Sequence, residues 1–439
     1  MADGREGDGR CVILARMAGL LVMKFGGTSV ADAQCIKRVA RRIVDQRELG
    51  NRVVAVLSAR GKTTDELIAL AEEVSQTPDP REMDMLLSTG ERISCALCAM
   101  AIHDLGHRVI SLTGSQAGIV TDSSHTKARI LDVHAERIVA ALDADRIVLV
   151  AGFQGVSTSS SDVTTLGRGG SDTTAVALAA AVGADVCEIY TDVSGVYSAD
   201  PRIVPDARKL DQVSFEEMLE MAASGAGVLQ LRSVEYARNH GVRIHCRSSF
   251  DDAPGTVVLY EADTAMEQPL ITAVTHTTAE AKITLTGVPD EPGAAARIFD
   301  AMAEGNVNVD MIVQNEPTSA GGRAEISFTV PREDLRAARA ALAPLAGESY
   351  SELTADEEMG KVSIVGAGMR SHPGVAAKVF GVLAEEGVNI EMISTSPIKI
   401  SCVIPRALVE QAVRCLHGAF ELSGEDTIRV EEPFRAGGA

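Results

Sequence analysis

Between Leu20 and about Val258 the chain alternates short apolar runs with longer stretches whose apolar positions recur every three or four residues. The runs VVAVLS, RVISLT, RIVLVAGF, VCEIYTDV and VRIHCRSS have strand length and β-branched character. The intervening stretches carry an amphipathic helical period. Such alternation predicts an α/β domain, three layers deep, with a largely parallel sheet and helices on both faces. The polar, Pro- and Gly-containing SFDDAPGTVVLYEADTAMEQP reads as the exit into a linker. Beyond it the pattern repeats. PGAAARIFDAMAEGNVNVDMI from Pro292 aligns without a gap to PGVAAKVFGVLAEEGVNIEMI from Pro373, and 11 of 21 positions are identical, too many for chance. Each copy follows a strand-like run (AKITLTGV, GKVSIVGA), so two small α+β modules close the chain. The expected boundaries are a first domain over 17–260, a linker over 261–270, and modules over 271–350 and 358–434 that exchange edge strands.

Composition narrows the function. A chain of 439 residues at 46% hydrophobic can bury a large core. A net charge of -20, 3% aromatics and no Trp argue against a nucleic-acid partner. An anionic ligand therefore needs a local cluster of cations. Eight scattered cysteines fit reduced thiols better than a disulfide framework, and the Cys95–Cys98 pair falls on an apolar helical pattern that reads as core. The N-terminal stretch lacks a signal-peptide design, and no membrane span is expected, which together predict a cytoplasmic protein.

Two glycine-rich turns carry candidate chemistry. In VMKFGGTSV, Lys24 ends an apolar run and is followed by Gly26 and Gly27. Either a phosphate approaches this main chain closely or the glycines only make a tight connection. In TTLGRGGSDTTAVALAAAVGA, Gly167, Gly169 and Gly170 surround Arg168 and precede an Ala-rich helix for which Ser171 is the expected N-cap. Arg168 could take a carboxylate or phosphate bidentately, or be a solvated loop charge. GKTT at Gly61 resembles the end of a phosphate-binding loop, but Val56 stands where that loop needs glycine. Ligands of open α/β sheets bind at the carboxyl ends of the strands. Two phosphate-compatible turns there suggest phosphoryl transfer, which relies on positioning and neutralisation of charge.

The motifs KFGGTSVAD, REMDMLLSTGERIS, TLGRGGSDTTAVALAAA and YTDVSGVYSADPRIV, in that order, resemble the signatures of aspartate kinases, and the terminal repeats resemble that family's ACT domains. The similarity runs from Met17 onward and is greatest to lysine/threonine-regulated enzymes of actinobacterial type. The resemblance implies the amino-acid-kinase fold and transfer of the γ-phosphate of ATP, with Mg²⁺, to the side-chain carboxylate of L-aspartate. By motif, Lys24 would stabilise the transferring group and Asp172 would position Lys24. Glu91 would accept the substrate ammonium and Arg168 a substrate carboxylate, with Ser58, Thr64, Phe153 and Ser171 lining the pocket. Gly26, Gly27, Ser29, Gly169, Gly170, Thr191, Asp192, Tyr197, Asp200 and Arg202 would surround the nucleotide. No protein-only metal site is expected.

In the repeats, Asp290, Asn308, Asp310, Gln314, Asn315, Asn389 and Glu391 are candidate effector residues for threonine or lysine. Polar loop capping is their other reading. The duplication favours a homo-oligomer, or an α2β2 assembly with a regulatory chain started internally at Met266. Two departures stand out. Gly227 replaces a lysine the family directs at the nucleotide, predicting weaker ATP binding, and Pro397 replaces a glutamate, predicting an altered effector site or strand contact. The alternatives are another enzyme of the same kinase fold, or an amino-acid-binding regulatory subunit without turnover.

Overall fold

The computed structural model describes residues 19–260, 271–315, 323–372 and 374–424. The expected start at Met17, the linker 261–270 with Met266, and positions 425–434 of the last module lie outside the described residues. The chain forms two compact units: residues up to Asp192 with Tyr236–Ala253, and Val193–Glu235 with Pro254 onward. The second unit thus takes in residues 193–235 and 254–260, which the expected 17–260 boundary assigned to the first domain.

In the first unit, strand Leu20–Phe25 lies between Arg52–Leu57 and Val186–Thr191. Ile147–Ala151 and then Val109–Leu112 extend the sheet on one side, and Ile244–Ser248 on the other. All five pairings are parallel, as the continuous apolar runs require of strands covered on both faces. Alternation along the first strand divides the layers. Leu21, Met23 and Phe25 pack with Val53, Ala55 and Leu57 against helices Ala33–Glu48 and Thr89–Asp104. Cys95 and Cys98 belong to this core, and burial pushes the Cys98 thiol up to about 12, which leaves it inert. The opposite face, from which Lys24 projects, receives helix Gly170–Val182, whose first ten residues are all buried. A smaller mixed sheet of Ile130–Val133, Ile119–Thr121, Gln154–Ser157 and Val163–Thr165 completes the unit.

The second unit holds a six-stranded antiparallel sheet in the order Ile312–Asn315, Arg323–Pro331, Ala273–Pro289, Glu352–Val365, Lys399–Pro405, Met392–Ser396. Its two long central strands are shared between the repeats. Ala281, Ile283 and Leu285 enter the core over helix Ala294–Glu304, whereas Val274 of the same strand enters the core over helix Val375–Glu385. That second core also contains Ala199 and Val204, which is why the segment after Asp192 travels with the repeats. Pro397 occupies the exposed turn between Met392–Ser396 and Lys399–Pro405, where Ser396 still pairs with Lys399. The ladder contact expected to suffer at Pro397 is intact, because a turn position needs no ladder donor.

Candidate active site

The residues singled out around Lys24 converge at the carboxyl end of the parallel sheet. The Lys24 ammonium is 2.5 Å from the Asp172 carboxylate, and the two side chains are only 12% and 7% exposed. One comes from the central strand and the other from the first turn of helix Gly170–Val182. A carboxylate in a first helical turn is favoured by the helix dipole, and it holds the lysine at the strand end. Gly26 stands two residues on, and a Cβ there would lie 3.5 Å from the ammonium.

Gly27 has a different neighbour. A Cβ there would lie 3.0 Å from the carbonyl of Ala59 and 3.1 Å from that of Gly61, and Gly61 N–H donates to the Gly27 carbonyl at 2.9 Å. Its smallness is thus required by the loop after strand Arg52–Leu57. The tight-connection reading holds for Gly27 whatever ligand approaches. Ser29 is buried, with its hydroxyl 2.6 Å from that of Ser249.

The helix start corrects one expectation. The N-cap is Gly169, in the left-handed region at φ 72°, and not Ser171, which lies inside the first turn and is 7% exposed. The chain enters the helix through a conformation that favours glycine, which sets the serine two positions too late to cap. Arg168 projects from this turn with 84% of its side chain exposed, 3.8 Å from Asp65. Phe153, after strand Ile147–Ala151, is half-buried at φ 68° and packs toward Gly170. Its N–H donates to the Thr174 hydroxyl at 3.1 Å. A bulky residue held left-handed marks a place where the surroundings over-determine the backbone.

Glu91 is 3% exposed at the start of helix Thr89–Asp104. One carboxylate oxygen accepts from Ala59 N–H at 3.2 Å, while Oε2 is buried with no partner. Burial raises this carboxyl to about 7, and the Ala59 N–H offsets only part of that cost. A buried carboxylate oxygen without a donor is a place for a cationic ligand group. Ser58 and Thr64 flank Ala59, half-buried, with Thr64 in the first turn of helix Thr63–Val74.

Thr191 ends strand Val186–Thr191 and Asp192 follows it, with the threonine hydroxyl 3.1 Å from the aspartate carboxylate. Tyr197, Asp200 and Arg202 belong to the second unit, where Arg202 grips Asp200 through Nε and a terminal nitrogen at 2.7–3.1 Å and holds its carboxyl below the usual range. Gly227 is exposed in a turn of the same unit, with open space around it.

Among the effector candidates, Asn308, Gln314, Asn315 and Asp290 are exposed. Asp310 pairs with Lys361, and Glu391 with Lys282 at 3.2 Å and with the Asn389 amide at 3.0 Å. The lysines were not anticipated. Their common signal is the second position of AKITLTGV and of GKVSIVGA, a cation in an otherwise apolar run. Asp84, inside REMDMLLSTGERIS, carries no such signal. It is fully buried and accepts from His125, Thr126 and Thr165.

The profile of the amino acid kinase family matches residues 19–248, and that of the ACT domain matches 283–344 and 362–420. The chain is 57% identical over 409 residues to an aspartokinase of Mycolicibacterium smegmatis, covering 93% of this chain and 97% of that protein. It is 53% identical to an aspartokinase of Corynebacterium glutamicum at the same coverage of each. Among solved structures it resembles E. coli aspartokinase III in complex with aspartate and ADP, at a TM-score of 0.79 and 27% identity, over 91% of this chain and 99% of that one. The same enzyme with lysine and aspartate matches at a TM-score of 0.68 and 26% identity, with the same coverage. With a parallel sheet bearing a strand-end lysine, a duplicated C-terminal module, and relatives of this identity along nearly its whole length, the chain belongs to the aspartokinase family.

Proposed function

We propose that the chain transfers the γ-phosphoryl group of ATP to the side-chain carboxylate of L-aspartate, using the cluster around Lys24 at the sheet's carboxyl end. The observation that carries this reading is the ammonium of Lys24 held 2.5 Å from Asp172 beside a helix N-terminus. Charge builds on the oxygens of a transferring phosphoryl group, and a pre-positioned cation and helix-end amides stabilise it without reorganisation. Asp172 is then a positioning residue for Lys24. The Gly26, Gly169 and Gly170 backbone faces the phosphates, and Thr191 and Asp192 lie at the neighbouring strand end.

Glu91 receives the substrate's ammonium on its unpartnered oxygen, which requires the ionised carboxylate. Arg168 swings from its exposed turn onto the α-carboxylate, and Ser58, Thr64, Phe153 and Ser171 shape the pocket between them. That division leaves the side-chain carboxylate directed at the phosphoryl group. No cluster of three or more His, Cys, Asp or Glu among the described residues could cage a metal ion. Mg²⁺ carried in on the nucleotide phosphates would neutralise their charge.

The ACT pair binds a small amino acid, lysine or threonine, through the turns that carry Asn308, Asp310, Asn389 and Glu391, and works in a homo-oligomer. The seven described cysteines are free thiols, which supports a cytoplasmic enzyme. The test is trapping of aspartyl phosphate with hydroxylamine from ATP, Mg²⁺ and aspartate, with glutamate as control. Hydroxamate formed with aspartate and not with glutamate is the expected outcome. None with either amino acid would leave a binding subunit, and preference for glutamate a different acceptor.

A further inference from the structure

Helix Pro80–Leu87 buries a carboxylate that the assigned chemistry does not use. Asp84 is fully buried, and an ionised group there is tolerated only if its oxygens are filled by donors. They are. His125 Nδ1 lies 2.6 Å from Oδ2, Thr126 N–H points at both oxygens at 3.1 and 3.2 Å, and the Thr165 hydroxyl donates to Oδ1. Three donors from two other segments thus meet on one side chain.

Those segments lead to the two groups assigned to the amino acid. Thr165 ends strand Val163–Thr165, and Arg168 follows three residues on. The Thr165 carbonyl accepts from Ala128 N–H at 2.9 Å, so the loop holding His125 and Thr126 is tied to this strand directly as well as through Asp84. Thr126 stands at φ 66°, a backbone state that costs a non-glycine residue free energy, and its N–H is the one Asp84 holds. The Thr126 carbonyl in turn lies 3.1 Å from where a Cβ of Gly167 would be, so it forms one wall of the Gly167–Gly170 turn. In the other direction, Asp84 N-terminally precedes Ser88, whose N–H donates to the Asp84 carbonyl at 3.0 Å and whose own carbonyl accepts from Gln154 at 2.9 Å. Glu91 lies one turn further along, in helix Thr89–Asp104.

We propose that Asp84 is a positioning residue for aspartate binding, which fixes the Arg168 turn relative to Glu91 through His125, Thr126 and Thr165. This rests on the reading that Arg168 and Glu91 hold the amino acid. Asp84 itself touches no substrate. Its effect is to keep two recognition groups on different segments at one spacing, and misplacement of such groups by about 1 Å can cost a hundredfold.

The experiment measures KM for aspartate and for ATP, with kcat, on Asp84→Asn, His125→Gln, Arg168→Ala and the Asp84→Asn/Arg168→Ala double variant of the full chain. Asp84→Asn removes the charge that His125 and the Thr165 hydroxyl meet, and leaves the Thr126 N–H one acceptor oxygen in place of two. Its KM for aspartate should rise at least about tenfold while KM for ATP stays within about twofold, since only the amino-acid site is loosened. His125→Gln, at a partly exposed position, should move the same constant in the same direction by less. The double variant should be no worse for aspartate than Arg168→Ala alone, because groups acting as one unit are not additive. Equal losses for both substrates, an unchanged KM for aspartate, or full additivity would overturn the proposal. If Asp84→Asn does not fold, an unmoved aspartate KM in His125→Gln overturns it. Should Arg168→Ala itself leave the aspartate KM unaltered, the assignment of Arg168 fails instead, and this inference with it.

Discussion

Two lysines on central strands, one in each compact unit, are both largely withdrawn from solvent but have opposite surroundings. Lys24 has 12% of its side chain exposed and faces one carboxylate, Asp172, at a strand end. Lys361 has 2% exposed, lies within strand Glu352–Val365, and faces two, Glu280 at 3.1 Å and Asp310. Burial works against the Lys361 charge, but the two carboxylates outweigh it and raise its pKa. Its ion-pair stability is therefore present at neutral pH and is lost only as pH climbs above the ordinary lysine value. A buried cation with an excess of partners is structural. One with a single partner and an open strand end retains the capacity to bind a further anion. The number of carboxylates around each lysine, and not residue type, separates the two roles.

The largest effect that would sharpen this contrast is on turnover. Lys24→Ala should lower kcat by about a thousandfold or more, as removal of a charge-stabilising donor does, and it should also lower the melting temperature, because Asp172 is left buried without its cation. A rate within a few fold of the parent at saturating ATP would break the contrast. For Lys361→Ala turnover is spared and only stability suffers. Two carboxylates are left without their cation, costing about 3–5 kcal/mol in denaturant unfolding, while the folded fraction keeps its kcat. A loss below about 1 kcal/mol would place Lys361 with ordinary surface pairs.

A smaller effect comes from Glu91, raised to about 7 by burial. The folded protein holds a proton on Glu91 between its ordinary carboxyl range and about pH 7, so this group makes the fold less stable as pH rises through that window. Substrate binding has the opposite sign, because an ammonium needs the carboxylate. KM for aspartate should fall between pH 6 and pH 8, and Glu91→Gln should flatten that slope. A parent profile without slope would show that Glu91 does not meet the ammonium.

The smallest effect belongs to the second repeat's counterpart of the Lys361 pair. Lys282 and Glu391 pair at 3.2 Å with 20% and 33% exposure. Lys282 stands on the first repeat's strand and Glu391 in the second repeat's turn, whereas Lys361 and Asp310 stand the other way round, so the bridges are reciprocal across the duplication. With more solvent, Lys282→Ala should cost no more than about 1 kcal/mol. A cost equal to that of Lys361→Ala would mean that the repeats are energetically symmetric.

Much of this was legible in the chain itself. Continuous apolar runs forced parallel strands covered on both faces, the gapless repeat announced paired modules, and glycine-flanked Lys24 and Arg168 marked turns at strand ends, because period and backbone permissiveness are local properties. Tertiary structure decided the rest. It set Asp172 beside Lys24, made Gly169 rather than Ser171 the cap, and gathered His125, Thr126 and Thr165 onto Asp84. It gave Lys361 two carboxylates and carried residues 193–235 into the unit of the repeats. Each of these depends on which distant segment fills a neighbouring space. A carboxylate 41 residues from its histidine looks, in sequence, like any other acidic side chain. Only when the chain has closed around it does the cost of burying its charge select the donors that must surround it.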